Sequence, residues 1–262
     1  MTNSKGDHQG EKFIGFFRLV DACDQRGCPV CRCLTADARQ YLEALIYEHV
    51  NDPDTRRRLQ ASWGFCNWHT WMLRETSNPA FGAAIICEDL LRVTMGRLTR
   101  GAGRSGGSSR RLGRWLGRLG RQTRRRTLGE LYGRRPPCPA CRETAAGEQR
   151  YLLTALRFID DPQFDAAYAR SAGLCVPHLL GALALGNGTA QVEQIVARTL
   201  PKWAELRRDL ADFVRKHEHR NRAPFTEAEA SAYLRAFEVL VGAPGCGQAT
   251  GSASTRAGRG RS

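Results

Sequence analysis

Four short stretches of this chain could do chemistry together. "GCPVC" supplies Cys28 and Cys31, "GFCNWH" supplies Cys66 and His69, "PCPAC" supplies Cys138 and Cys141, and "GLCVPH" supplies Cys175 and His178. Thiolate sulfur and imidazole nitrogen are the donors zinc favours, and three cysteines with one histidine make one of its usual closed tetrahedral sets. A tight Cys-Pro-x-Cys turn can aim two sulfurs at one ion. A C-x2-H pair in the first turn of a helix presents its ligands three apart on one face, where the helix N-terminus favours a thiolate. Covalent haem attachment needs a histidine directly after C-x2-C, and Arg32 and Arg142 stand there instead.

The arrangement occurs twice. Cys31 and Cys66 are 35 positions apart, and Cys141 and Cys175 are 34 apart. The text between them also matches, with "RQYLEAL" over "QRYLLTA" and "NDPDTRRRLQASWGFC" over "DDPQFDAAYARSAGLC". This reads as an internal duplication. A helical hairpin closed on itself would bring the ends of each half together. The expected grouping is therefore Cys28, Cys31, Cys66 and His69 on one zinc ion and Cys138, Cys141, Cys175 and His178 on a second. Buried free thiols, disulfides or an iron–sulfur cluster are the competing uses, and Cys23 and Cys33 give the first half spare sulfurs for a cluster. Four protein ligands fill a zinc shell and leave no place for water, so no catalytic residue is assigned. Cys87 and Cys246 read as a packed apolar residue and a tail residue.

The elements that must position these ligands are helical. Apolar residues recur at helical spacing, and no alternating strand of useful length is present. Helices are expected at Lys12–Ala22, Thr35–Val50, a short piece to Trp63, Cys66–Glu75 and a stretch from Pro79 to Leu98. The second half repeats the plan from Glu143 to Ile159 and on to Ser171. A long apolar stripe then runs from Thr189 to His219, and Thr226–Val241 carries a capping-box pattern at Thr226 and Glu229. Breaks fall at Asp52-Pro53, Asn78-Pro79 and Asp161-Pro162. The expected fold is all-α, two duplicated helical halves each clamped by a Cys3His site and joined by a flexible Arg-rich linker. Residues 11–98 form the first repeat, 99–135 the linker, 136–242 the second repeat with the long and final helices, and 243–262 a disordered tail.

The chain has 262 residues, 42% of them hydrophobic, and a formal net charge of +14. That charge is concentrated: Arg97 to Arg135 holds thirteen arginines and one acid, Glu130, and the tail adds Arg256, Arg259 and Arg261. The two cysteine-bearing halves are thus close to neutral. "GAGRSGGSS" is a flexible spacer. After it, Leu112, Trp115, Leu116 and Leu119 lie at helical spacing among arginines, with three glycines weakening that helix by up to ~1 kcal/mol each. Arg111, Arg114, Arg118, Arg121, Arg124, Arg125 and Arg126 are candidate contacts to nucleic acid or another acidic partner, with an anionic membrane surface as an alternative. A solvated linker explains them equally well. No segment reads as an export signal or a membrane span, which places the chain in the cytoplasm, where paired cysteines more often bind metal than each other. "KHEHRN" closes the long helix, and Lys216, His217 and Arg220 with Glu227 and Glu229 form a candidate polar site. A solvated helix end is its plainer reading.

The doubled C-P-x-C and G-x-C-x-x-H motifs, with "KHEHRNRAPFTEAEASAYLRAFEVLVG" near the end, resemble a family of bacterial proteins carrying a domain of unknown function. The likeness spans roughly Phe16 to Gly242. It implies a bacterial, cytosolic, metal-binding helical protein and brings no activity with it. The leading expectation is a non-enzymatic binding or regulatory module with two structural zinc sites. A redox sensor or enzyme built on an iron–sulfur centre or reactive thiols, and a nucleic-acid-binding protein, are the alternatives.

Overall fold

A computed structural model of the chain describes residues 11–105, 127–217 and 223–246. Among the described residues the structure is all helical, with no strand. The helices are α1 (Ile14–Cys23), α2 (Pro29–Glu48), α3 (Pro53–Ser62), α4 (Asn67–Arg74), α5 (Ala80–Ser105), α6 (Leu128–Gly133), α7 (Pro139–Arg157), α8 (Pro162–Arg170), α9 (Val176–Gly186), α10 (Ala190–Lys216) and α11 (Glu227–Val241). None of them is long and apolar enough to cross a membrane.

Local signals explain most of the helix ends. Asp52 and Asp161 cap α3 and α8, accepting hydrogen bonds from Thr55 N–H and from Gln163 and Phe164 N–H, and a proline follows each cap. Proline at a first helical position costs nothing there, because its missing N–H would have had no partner in the helix. Trp63 in the left-handed region (φ 60°) and Gly64 (φ 96°) end α3 and turn the chain into α4. Thr127 with Glu130 and Thr226 with Glu229 make complete capping boxes at the starts of α6 and α11.

Two expected boundaries differ. The second helix begins at Pro29 rather than near Thr35, so the first knuckle is its opening turn and not a separate loop. The same holds for α7, which begins at Pro139 rather than Glu143. The opening of the expected flexible spacer, 101–105, is the end of α5.

The chain divides into two compact units, one made of residues 1–38 with 143–262 and the other of residues 39–142. The first unit has a core of Phe16, Leu19, Val30, Leu34, Leu152, Ile159, Phe164, Tyr168, Leu174 and Ile195, into which Cys28, Cys31 and Cys175 are packed. In it α1 packs on α8, while α9, α10 and α11 pack on one another. A smaller cluster of Leu206, Ala232 and Ala236 joins α10 to α11. The second unit is built on Leu45, Val50, Leu59 and Ile86, with α3 and α6 against α5. The compact units are not the two sequence repeats, because the start of α2 belongs with the later helices and the start of α7 with the earlier ones.

Candidate metal centres

All eight expected ligands sit at helix N-termini in one repeated geometry. Cys28, Cys66, Cys138 and Cys175 each stand immediately before a helix, and Cys31, His69, Cys141 and His178 follow three residues later in its first turn. The carbonyls of the leading cysteines accept the first helical hydrogen bonds, from Arg32, Thr70, Arg142 and Leu179 N–H at 2.8 to 3.2 Å. Each pair therefore shares a face with the positive end of a helix dipole behind it, which favours thiolate over thiol.

The grouping is crossed relative to the sequence repeats. Cys28 and Cys31 of α2 meet Cys175 and His178 of α9 in the first unit, and Cys138 and Cys141 of α7 meet Cys66 and His69 of α4 in the second. The expectation that each repeat closes its own site is overturned by helix length. α2 has twice as many residues as α3, so at a fixed rise per residue it is twice as long. A return through α3 retraces only half of that length. α7 exceeds α8 by the same kind of margin, which imposes the same limit on Cys175.

In the first unit, His178 Nδ1 lies 3.3 Å from Cys28 Sγ, 3.4 Å from Cys31 Sγ and 3.2 Å from Cys175 Sγ, and the sulfurs of Cys31 and Cys175 are 3.8 Å apart. All four residues are buried. Backbone bonds hold the Cys175 turn: Tyr168 Oη accepts from Leu174 N–H at 3.0 Å, Trp203 Nε1–H donates to Leu174 O at 3.2 Å, and Ser171 Oγ accepts from Gly173 N–H at 3.0 Å. Tyr168 is itself fully buried and bonded to Thr199 Oγ1 at 2.7 Å. Behind the histidine, Nε2 is buried and 3.6 Å from Glu148 Oε1.

In the second unit, His69 Nδ1 lies 3.2 Å from Cys66 Sγ, 3.5 Å from Cys138 Sγ and 3.4 Å from Cys141 Sγ. Cys138 and Cys141 sulfurs are 3.4 Å apart, and Cys141 and Cys66 sulfurs 3.6 Å. Here His69 and Cys138 are buried while Cys66 and Cys141 are half-buried. Two backbone donors serve the sulfurs, His69 N–H to Cys66 Sγ at 3.5 Å and Cys141 N–H to Cys138 Sγ at 3.4 Å.

These distances test whether one ion fits. Donors held ~2.0 to 2.3 Å from a tetrahedral ion stand roughly 3.5 to 3.8 Å from one another. The observed edges run from 3.2 to 3.8 Å, so both sets could hold a single metal ion.

The electrostatics point the same way. Burial opposes ionisation of Cys28, but bonds to Cys175, Cys31 and the His178 ring outweigh it and hold its thiol well below the ordinary value. Cys31 is pushed up, first by its bond to Cys175, and Cys175 is raised, first by Cys28. Burial works against a charged His178, yet its contacts with Cys175 and Cys28 raise the imidazolium to about 11. In the second unit, Cys66 is held low, first by Cys138, while Cys141 is raised, first by the same residue. His69 rises to about 9, where burial is again outweighed by Cys138 and Cys66. Each cluster thus pairs a thiol held low with a histidine held high and has at least one further thiol pushed up. A divalent cation would replace the protons and let more thiols ionise, so its uptake must release protons.

Of the remaining candidates, Lys216, His217 and Glu229 are held by neighbouring groups. Lys216 Nζ donates to both Glu229 oxygens, at 2.8 and 2.6 Å, and to Pro224 O at 3.0 Å. Glu229 also accepts from Thr226 N–H within the α11 capping box. His217 lies between Phe213 and Phe225, with ring centres 4.3 and 4.8 Å away, and its Nδ1 is 2.9 Å from Phe213 O. These residues tie the end of α10 to the start of α11, and Glu227 is exposed beside them. Arg220 and Arg111, Arg114, Arg118, Arg121, Arg124, Arg125 and Arg126 lie outside the described residues. Cys23 and Cys33 are buried thiols raised to about 12 by desolvation, which fits packing and not ligation.

Two features escape the reading of the sequence. Glu148 follows Cys141 by seven residues on the buried stripe of α7 that includes Thr144, Tyr151, Leu152 and Ala155. An acid on an apolar stripe is a readable signal. Cys246, expected as a tail residue, is packed beside the first centre: its Sγ lies 3.7 Å from Cys31 O and 3.9 Å from Thr35 Oγ1. No local pattern announces that contact.

A family of unknown function (DUF6062) matches residues 13–244. No curated protein and no solved structure matches the chain.

Proposed function

The chain belongs to that family, and we propose that it is a non-enzymatic zinc protein, a binding or regulatory module whose two units are each closed by one structural ion. The observation that carries this reading is the pair of four-donor sets at the edge lengths of a single-ion tetrahedron. Three sulfurs and one nitrogen fill a zinc shell, leaving no position for a substrate or activated water. An iron–sulfur cluster spreads its ligands over several irons and bridging sulfides, so its cysteines would stand further apart than one tetrahedral edge. The sulfurs that made a cluster attractive, Cys23 and Cys33, lie in the apolar core as high-pKa thiols. Zinc at such sites supplies folding free energy on the order of 10 kcal/mol. That magnitude exceeds the net stability of many small domains, which supports a scaffold role for the ions.

Elemental mass spectrometry on protein purified without an affinity metal should find two zinc ions per chain and no visible absorption. Paired substitutions test the grouping. A double variant C28S/C175S should keep one ion, because both changes fall on the same centre, whereas C28S/C66S should keep none. Retention of one ion by C28S/C66S would restore the within-repeat grouping, and iron with broad absorption would replace zinc by a cluster.

A further inference from the structure

The segment that follows α11 turns directly over the first centre. Gly242, with φ at 82°, ends the helix, and a Cβ placed on it would stand 3.4 Å from Cys31 Sγ and 3.7 Å from Cys175 Sγ. The backbone angle is what calls for glycine here, and the chain passes within ordinary contact distance of two sulfurs. The next residue, Ala243, donates its N–H to Cys31 Sγ at 3.4 Å. A tight turn then closes through Cys246 N–H to Ala243 O at 3.0 Å. That turn swings the Cys246 thiol back onto Cys31, whose carbonyl it meets at 3.7 Å. The first centre therefore has a fifth sulfur beside it that does not belong to its four-donor set.

The two partners differ in access. Cys31 is fully buried. Cys246 is half-buried and lines an open groove of about 1010 Å³ together with Arg26, Arg32, Phe237, Gly242 and Pro244. A small oxidant can reach Cys246 from solvent and cannot reach Cys31 directly.

We propose that Cys246 is an oxidation site at which a peroxide, hydrogen peroxide or an alkyl hydroperoxide, triggers a disulfide with Cys31 and opens the first metal centre. This rests on the metal reading above. The Cys246 sulfur attacks the peroxide O–O bond, taking one oxygen to become a sulfenic acid while the other leaves as water or alcohol. The Cys31 sulfur then attacks the Cys246 sulfur, forming the S–S bond and expelling hydroxide, which takes a proton to leave as water. Two thiols lose two electrons in all, and the peroxide bond receives them. Cys31 can no longer act as an anionic ligand, so the first centre falls to three donors. A thiol reductant reverses the change by exchange. The second unit offers no fifth sulfur to its centre among the described residues, so the response is confined to the first.

The test uses the full chain with its metal content measured beforehand. Hydrogen peroxide is added in stoichiometric amounts, released zinc is followed with a chromogenic chelator, and alkylated peptides are mapped by mass spectrometry. Wild type should release one zinc per chain and yield a Cys31–Cys246 peptide pair, and dithiothreitol should reverse both. The C246S variant should begin with two zinc ions and release the first at least tenfold more slowly, while C87S, altered at an exposed cysteine on α5, should match wild type. Equal release from wild type and C246S, or a disulfide within Cys28 and Cys31 instead, would overturn the proposal. Were the purified chain to hold no metal, the zinc reading would fail by itself, and the Cys31–Cys246 peptide after peroxide would still decide the disulfide.

Discussion

His178 is held from both sides of its ring. Nδ1 faces three sulfurs at 3.2 to 3.4 Å, and Nε2 faces Glu148 at 3.6 Å, an ion-pair distance and not a formed hydrogen bond. A carboxylate behind a ligating histidine fixes its tautomer and raises its basicity, and losing such a partner typically weakens metal affinity roughly 10- to 100-fold. Glu148→Gln should therefore lower metal affinity at the first centre by about that factor and leave the second unchanged, as read by competition with a calibrated chelator. The candidate donor pairs were legible because each is encoded within four residues and needs only one turn of backbone to form. Glu148 leaves a readable mark as an acid on an apolar stripe, whereas Cys246 acts on a residue 215 positions away, and no local pattern encodes a contact of that range.

At the scale of elements, the helix starts do most of the positioning. Cysteine before the helix and the second ligand in its first turn recur four times, and prolines at positions 29 and 139 fix where α2 and α7 begin. The Thr226 and Glu229 capping box was readable because both partners are local. The start of α2 lies ahead of the expected Thr35 because the proline of a Cys-Pro turn can serve as a first helical residue. Glu229 also reports on the α10–α11 junction. The hydrogen bond from Lys216, then that from Thr226 N–H, holds its carboxyl below the ordinary 4.5. A depressed acid stabilises the fold in full above its unfolded value and loses that contribution as pH falls through the lowered one. Thermal melts of Glu229→Gln against wild type should therefore differ most near neutral pH and converge as the pH falls through the lowered carboxyl value, with the metal sites common to both. A constant difference down to the acid limit would assign the loss to packing alone.

At the scale of the molecule, the two centres are unequal. Every ligand of the first is buried and Ala243 donates to one of its sulfurs, whereas Cys66 and Cys141 of the second are half-buried. Excess chelator should thus remove the ions in two phases, the faster from the second unit. The C138S variant should lack the fast phase and C175S the slow one, and a single phase in wild type would show the centres to be equivalent. The all-helical class was legible from spacing and caps, but the division into units was not, since two similar repeats satisfy either grouping of their ligands equally well until the lengths of α2 and α3 decide. That grouping also gives the chain a timetable. The second unit lies wholly between the two parts of the first, and its ligands span 75 positions from Cys66 to Cys141, against 144 from Cys31 to Cys175. At roughly 10 residues per second of synthesis, Cys28 and Cys31 wait about 14 seconds for their partners, and through about half of that wait the newly made Cys66 and His69 are the only other halves of a site on offer. A nascent chain that binds zinc too early is thus drawn to join the first two motifs, the within-repeat arrangement that the finished fold rejects. The inner site, completed first by Cys138 and Cys141, withdraws Cys66 and His69 from that mistake and leaves the outer pair free for the turn that is made last.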